Sequence, residues 1–394
     1  MNRLDQDVLI VGASAAGLST AEALRRRGHR GRLTLLDADA NQPYDRPPLS
    51  KQLLAGQWAP SQTVLRSDEA LRALDAQLLL DERASHLMTA ARSVRTDSGR
   101  LLTADAIVLA TGVSPRRLPG QEDVDGVHVL RSIDDALKLQ QLLQPRRRLV
   151  VVGNGVLGSE IAATAATLGV DVTLVGRSLA PMDRQLSHFG ASLLAAKHEA
   201  AGVRMLGGRD VEVLRSLRGR VTGVALSFGE ELAADEVVVA IGSEPNTGWL
   251  THSELDIEDG VVCNAFCRAA PGIWAVGDVA RWNHPRRGIV RLENRTNASE
   301  QAIAVAADIL GFGEPYAPIP YFWTDQYGTR IQVHGEIPAD ARLRITDGDP
   351  LSDRFVAIAL TSDGESPVGV LGWGMPKQTR LRRAELDDSL APVS

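Results

Sequence analysis

Two glycine-rich turns carry the residue types that hold phosphate: Gly12-Ala13-Ser14-Ala15-Ala16-Gly17 and Gly153-Asn154-Gly155-Val156-Leu157-Gly158. Where such a turn leads a buried strand into a helix, backbone N–H groups and the positive end of the helix dipole face a pyrophosphate. In the first turn Gly12 permits the tight bend and Gly17 lets helix and strand pack closely. Its middle glycine is replaced by Ser14, which is small and can donate a hydrogen bond. Asp37 ends the next strand, Leu33–Leu36, where a carboxylate accepts from a ribose hydroxyl. The second turn has all three glycines, and Glu160 follows it by two residues; by itself that acid reads as a surface residue favourable near the helix dipole.

The elements that must position these turns can be read from apolar spacing. Val8 to Val11 and Val150 to Val152 are short continuous apolar runs, as in strands buried on both faces of parallel sheets. Leu18, Ala21 and Leu24 after the first turn, and Ile161, Ala165 and Leu168 after the second, recur at helical spacing. Two nucleotide-binding βαβ units are therefore expected. Two further strand-plus-turn segments echo each other, AIVLATG (with Ala110, Thr111 and Gly112) and VVVAIG ending at Gly242, and a third follows at Gly272–Asp278, with Gly277 and Asp278 at its end. With Asp37 and Gly277-Asp278, the first turn reads as an FAD site. After Pro315 the texture changes to alternating strands near Arg330–Val333, Phe355–Leu360 and Val368–Gly372, read as an α+β C-terminal domain. The charged tail after Lys377 is expected to be loosely held.

Bulk properties narrow the function classes. The chain has 394 residues, enough for two or three domains, and a formal net charge of −6, which argues against general nucleic-acid binding. The opening Met1 to Asp7 is polar and the apolar run after it too short for a signal peptide, and no stretch approaches a membrane span. A cytoplasmic, reduced setting fits. The two cysteines, Cys263 and Cys267, make neither a disulfide framework nor a four-ligand zinc site, and no metal is expected. They sit in a late surface-strand context and read as packing residues.

The most specific signal is Tyr44-Asp45-Arg46-Pro47-Pro48-Leu49-Ser50-Lys51. Composition alone gives a stiff turn entering a helix, with Ser50 near a cap. The run YDRPPLSK, preceded by GASAAG, resembles the putidaredoxin reductase and biphenyl-dioxygenase ferredoxin reductase family. Further echoes are ATGVSPRRLPG (Ala110–Gly120), GNGVLGSEIAA (Gly153–Ala163), WAVGDVA (Trp274–Ala280), RLENRTNASEQA (Arg291–Ala302) and FWTDQYGTRIQVHG (Phe322–Gly335).

The resemblance implies an α/β, glutathione-reductase-like fold: two Rossmann-type nucleotide-binding domains plus an α+β C-terminal domain. The FAD domain would span residues 1–112 and 243–316, the NAD(P) domain 113–242 and the C-terminal interface domain 317–394. Implied FAD contacts are Ala16, Asp37, Lys51, Ala84, Arg131, Asp278 and the residue at Arg295, with Arg46 in the same loop as Lys51. Lys51 would lie beside the flavin nitrogen that accepts hydride and pair with Glu160, a cation stabilising reduced flavin and a carboxylate orienting it. Disulfide reductases of this fold carry a redox cysteine pair where the Tyr44–Lys51 loop has none. Electrons would leave instead as single electrons to a 2Fe–2S ferredoxin feeding a haem-thiolate or Rieske oxygenase. Rival readings are a rubredoxin reductase, an NAD(P)H oxidase, or a flavin-bound interaction protein of the apoptosis-inducing-factor type.

Two positions depart from the family. The strand Asp171–Val175 should end in an acid that grips the NAD ribose, but Gly176, Arg177 and Ser178 follow. Arg177 is either a partner for a 2′-phosphate or a solvated loop residue, so NADH and NADPH both stay open. Arg295 stands where related reductases often carry an aromatic or apolar residue. Arg281, Arg286, Arg287, Arg291 and Arg295 crowd one stretch in which Glu293 is the only acid; it is either a solvated loop or a docking patch for an acidic ferredoxin.

Overall fold

Strand and helix formation follow the apolar runs, and two compact units result. The computed structural model describes residues 2–361, 363–364 and 366–389. One unit comprises Met1–Asp45, Ser61–Ser114 and Ser243–Pro318; the other comprises Arg46–Pro60, Pro115–Gly242 and Ile319–Ser394. Residues 46–60, expected as part of the FAD domain, cluster with the second unit.

The first unit is built on a six-stranded sheet in the order Arg268–Ala270, Ile273–Ala275, Ala106–Leu109, Val8–Val11, Leu33–Leu36, Ala76–Leu79. All neighbours are parallel except the first pair. Every residue of Val8–Val11 is buried, as expected of a central parallel strand covered on both faces. The helices Ala15–Arg26 and Arg295–Ile309 pack on one another, with Leu18, Leu24, Val305 and Ile309 in the core.

The second unit contains a five-stranded parallel sheet in the order Arg204–Gly207, Asp171–Gly176, Arg148–Val152, Glu236–Val239, Val127–His128. It also contains a five-stranded antiparallel sheet in the order Tyr321–Gln326, Thr329–Gly335, Pro367–Trp373, Arg354–Leu360, Arg342–Asp349. The α/β class with two Rossmann-type sheets is thus present. Three strands of the antiparallel sheet lie where alternation suggested. The other two were not anticipated: Tyr321–Gln326 begins with the aromatic residues Tyr321, Phe322 and Trp323, and Arg342–Asp349 (RLRITDGD) alternates only over its first four residues before the polar TDGD.

The tail differs from expectation. Pro376–Arg382 and Ala384–Ser389 are helices, and Thr379 and Leu386 are buried. Gly372 leaves the gap that the Thr379 side chain fills, so the helix is anchored by a small residue on the neighbouring strand. Residues 390–394 of that tail lie outside the described ones.

The cysteines are also not at the surface: Cys263 is 5% exposed and Cys267 0%. Burial pushes both thiols up, Cys267 to about 12, even though the Gln301 amide donates to its sulfur at 3.2 Å. A thiolate is the reactive form, and its fraction at neutral pH is therefore negligible. At pH 8 the native protein should release no chromophore from a disulfide thiol reagent within minutes, and both thiols should react once guanidinium unfolds it. Fast labelling of the native state would show that one of them is accessible.

Candidate functional site: two glycine turns and a buried lysine–glutamate pair

The first turn, in the first unit, rests on backbone contacts that no side chain could enter. Gly12 has φ +109°, and a Cβ there would collide with the Ala110 carbonyl; one on Gly17 would collide with the Gly12 carbonyl oxygen. In the second unit Gly153 (φ +107°) stands in the same way against the Ala240 carbonyl, and Gly158 against that of Gly153. The middle position is different. Ser14 has φ −76° and ψ −158°, and Gly155 φ −75° and ψ −166°. Any residue adopts that conformation, so Ser14 is tolerated. A Cβ on Gly155 would meet nothing within 4 Å, and open space over a helix N-terminus is what an approaching phosphate needs. Neither helix has an acid in its first turn. Ala15 and Ala16 open the first helix, Val156 and Leu157 the second.

Asp37 is held at the first turn. Its carboxylate accepts from the Ala13 N–H at 2.5 Å and the Asp39 N–H at 2.9 Å. Gly277, at φ +71°, brings the downstream motif to the same turn: a Cβ on it would lie 3.0 Å from the Ala16 Cβ, and its N–H donates to Gln301 Oε1 at 2.8 Å. Asp278 follows, half-buried. Ala110, Thr111 and Gly112 follow the neighbouring strand, with the Thr111 hydroxyl donating to the Asn246 carbonyl at 3.1 Å. These groups fit a dinucleotide: helix N–H groups and a strand-end carboxylate come together. Ala84 opens a strand of a separate three-stranded sheet in this unit.

In the second unit Lys51 Nζ donates to Glu160 Oε2 at 2.8 Å, with side chains 11% and 6% exposed. Glu160 is therefore not the surface acid its position alone suggested. Ser50, read as a cap residue, instead donates its hydroxyl to the same carboxylate oxygen at 2.5 Å, and Thr324 donates to Oε1 at 2.7 Å. The Gln326 amide donates to the Thr324 hydroxyl at 3.1 Å. Thr164, one turn along the helix from Glu160, donates to the Ser50 carbonyl at 2.7 Å and ties the Pro47–Ser50 turn to that helix. Sequence reasoning missed Ser50 and Thr324 as partners of Glu160; only the FWTDQ motif marked Thr324, and nothing in it indicated where the hydroxyl points. Arg46 begins the segment that carries Lys51, and Arg131 lies in this unit beside a helix cap, its N–H donating to Asp135. Gly242, at φ +100°, lies three residues beyond the strand Glu236–Val239 that pairs with Leu149–Val152.

The remaining arginines are occupied. Arg177 is 80% exposed and its Nε donates to Asp210 at 2.6 Å. Arg295 turns to Asp45, 2.6 Å from Nε, and to the Ser299 hydroxyl. In the arginine-rich stretch, Arg281 pairs with Glu258, and Arg291 with Asp259 and Glu293. The strand Ile257–Glu258 and the turn after it thus supply acids that the linear stretch lacks, and the patch is less basic than it reads.

Comparison with known proteins gives one consistent result. The family model described as pyridine nucleotide-disulphide oxidoreductase matches residues 6–302. Terpredoxin reductase of Pseudomonas sp is 37% identical over 350 residues, covering 87% of this chain and 85% of its own. The biphenyl dioxygenase system ferredoxin–NAD(+) reductase component of Paraburkholderia xenovorans is 34% identical, covering 91% and 87%. The crystal structure of a covalent putidaredoxin reductase–putidaredoxin complex superposes with a TM-score of 0.92 at 30% identity, over 98% of this chain and 94% of that one. With the family model spanning most of the chain and both glycine turns formed as that family's nucleotide chemistry requires, this chain belongs to the pyridine nucleotide-disulphide oxidoreductase family.

Proposed function

We propose that this protein is an FAD-dependent ferredoxin–NAD(P)+ reductase that takes hydride from a nicotinamide nucleotide and delivers single electrons to a 2Fe–2S ferredoxin serving an oxygenase. The observation that carries the reading is the buried pair of Lys51 with Glu160, the latter on the helix that follows Gly153–Gly155, in a chain whose relatives include a terpredoxin reductase and a ferredoxin–NAD(+) reductase component. FAD, when bound, supplies the conversion of a two-electron donor into a one-electron donor. The chain's own part is to hold the ribose with Asp37, to face the pyrophosphate with the N–H groups of Ser14, Ala15 and Ala16, and to contribute Asp278, Ala84, Arg131, Arg46 and Arg295 as further contacts. Lys51 provides a fixed positive charge to the hydride step, and Glu160 keeps its ammonium in place. Among the described residues no helix is long and apolar enough to cross a membrane, and we assign the protein to the cytoplasm. Ferredoxin docking is proposed at the stretch containing Arg281, Arg286, Arg287 and Arg291, where Glu258, Asp259 and Glu293 already share the charge of Arg281 and Arg291.

Two measurements follow. The purified protein should be yellow and release FAD rather than FMN on denaturation, and it should reduce cytochrome c rapidly only when a 2Fe–2S ferredoxin is added. A colourless protein that takes up no FAD on reconstitution ends this reading; rapid turnover with rubredoxin but not ferredoxin would change the acceptor.

Lys51→Ala and Glu160→Ala should each slow flavin reduction in stopped flow by about tenfold or more, a barrier increase of roughly 1.4 kcal/mol. The double variant should lose less than the two singles added, because removing either partner already leaves the other without its role. Additive effects would show that the two do not act as one unit.

A further inference from the structure

We infer that the second nucleotide site has exchanged its strand-end carboxylate for an amide supplied by the glycine turn, and that it accepts the 2′-phosphate of NADPH. The inference rests on the reading above, that Gly153–Gly158 holds a nicotinamide nucleotide.

Strand register makes the two turns comparable residue by residue. Val11 pairs with Leu36 in one sheet, and Val152 with Val175 in the other. Asp37 and Gly176 therefore hold the same place at the strand end, and Ala13 and Asn154 the same place in the turn. In the first unit the strand end carries the carboxylate and the turn residue is small, its N–H donating to Asp37. In the second unit the strand end has no side chain and the turn residue carries an amide. The two choices exclude one another. A Cβ on Gly176 would lie closer than 3.0 Å to the Cβ, Cγ and Oδ1 of Asn154. That amide is fixed where it stands, since Nδ2 donates to the carbonyls of Ser178 at 2.7 Å and Ala180 at 3.3 Å.

The exchange alters what a ribose meets. A strand-end carboxylate accepts from the 2′-hydroxyl and repels a 2′-phosphate. An amide is uncharged and repels neither nucleotide. The surrounding charge then decides. Arg177 follows Gly176 directly, and its side chain is 80% exposed. Arg209 donates its N–H to the Gly176 carbonyl at 3.0 Å and lays its guanidinium over Phe228, 5.1 Å from the ring centre. Asp210 is the acid of this rim, and it holds Arg177 by one nitrogen, Nε. Two guanidiniums against one half-exposed carboxylate leave the rim positive, and an incoming phosphate can draw Arg177 by its remaining N–H groups in a charge-assisted pair.

The test uses the FAD-loaded protein and two parallel readouts: calorimetric binding of 2′,5′-ADP against 5′-ADP, and kcat/KM for NADPH against NADH. NADPH should be used at least as well as NADH, and 2′,5′-ADP should bind more tightly than 5′-ADP. Arg177→Ala should cut both advantages by about tenfold. Gly176→Glu alone should weaken both nucleotides, because the new side chain collides with Asn154. Adding Asn154→Gly to it should restore binding and turn the preference toward NADH. A preference of the unmodified protein for NADH by about tenfold or more, or a Gly176→Glu single variant that behaves like the double, would overturn the inference. If neither ADP binds and neither nucleotide is oxidised by a protein that still holds FAD, the nucleotide reading of Gly153–Gly158 falls, and this inference with it.

Discussion

At Gly17 the carbonyl oxygen of Gly12 stands where a Cβ would be, and at Gly158 the carbonyl oxygen of Gly153 does the same. Strand, turn and helix are in backbone contact at these points, and much else in the two units follows from that contact. It fixes where each helix begins and where its first N–H groups face, and it sets the phase of the side chains further along. Glu160 lies two residues beyond Gly158 on a helix whose position the glycine determines. A methyl group at Gly158 would displace the helix, and the carboxylate would leave the reach of Lys51, Ser50 and Thr324 together.

That carboxylate is itself a constraint on how the second unit is assembled. A buried anion is costly unless paired and hydrogen-bonded. Glu160 satisfies both oxygens with one ammonium and two hydroxyls. The donors come from two places far apart in sequence, the proline-stiffened segment that begins at Arg46 and the antiparallel sheet that contains Thr324. Pro47 and Pro48 lower the freedom of the segment that must present Ser50 and Lys51 side by side. The same bonds help explain why residues 46–60 and 319–394 gather with the sheet of Arg148–Val152.

The two glycine turns show how one backbone solution supports different chemistry. Their outer glycines meet equivalent carbonyls and their middle residues share one conformation. The differences lie in the side chains: Ser14 for Gly155, Ala15 and Ala16 for Val156 and Leu157, Asp37 for Gly176 and Ala13 for Asn154. The outer glycines keep strand and helix in contact in both, while the strand-end residue and its neighbour in the turn set what the turn can bind.

What the sequence determined by itself were the features set by local rules. Continuous apolar strands, glycines at close approaches and helical spacing after each turn are short-range signals, and they marked both βαβ units, Asp37 and the Gly277-Asp278 motif. The YDRPPLSK run and its companions marked Lys51 and Glu160 by resemblance. Tertiary structure alone decided the rest. That Ser50 and Thr324 donate to Glu160, that Glu258 and Asp259 offset the arginine-rich stretch, and that Asn154 fills the space above Gly176 all involve residues brought together by folding. So does the anchoring of the charged tail through Thr379 on Gly372. A hydrogen bond or a steric exclusion between residues brought together from up to 164 positions apart leaves no periodic trace in either segment, because each is locally compatible with many partners until the sheets fix the distance between them.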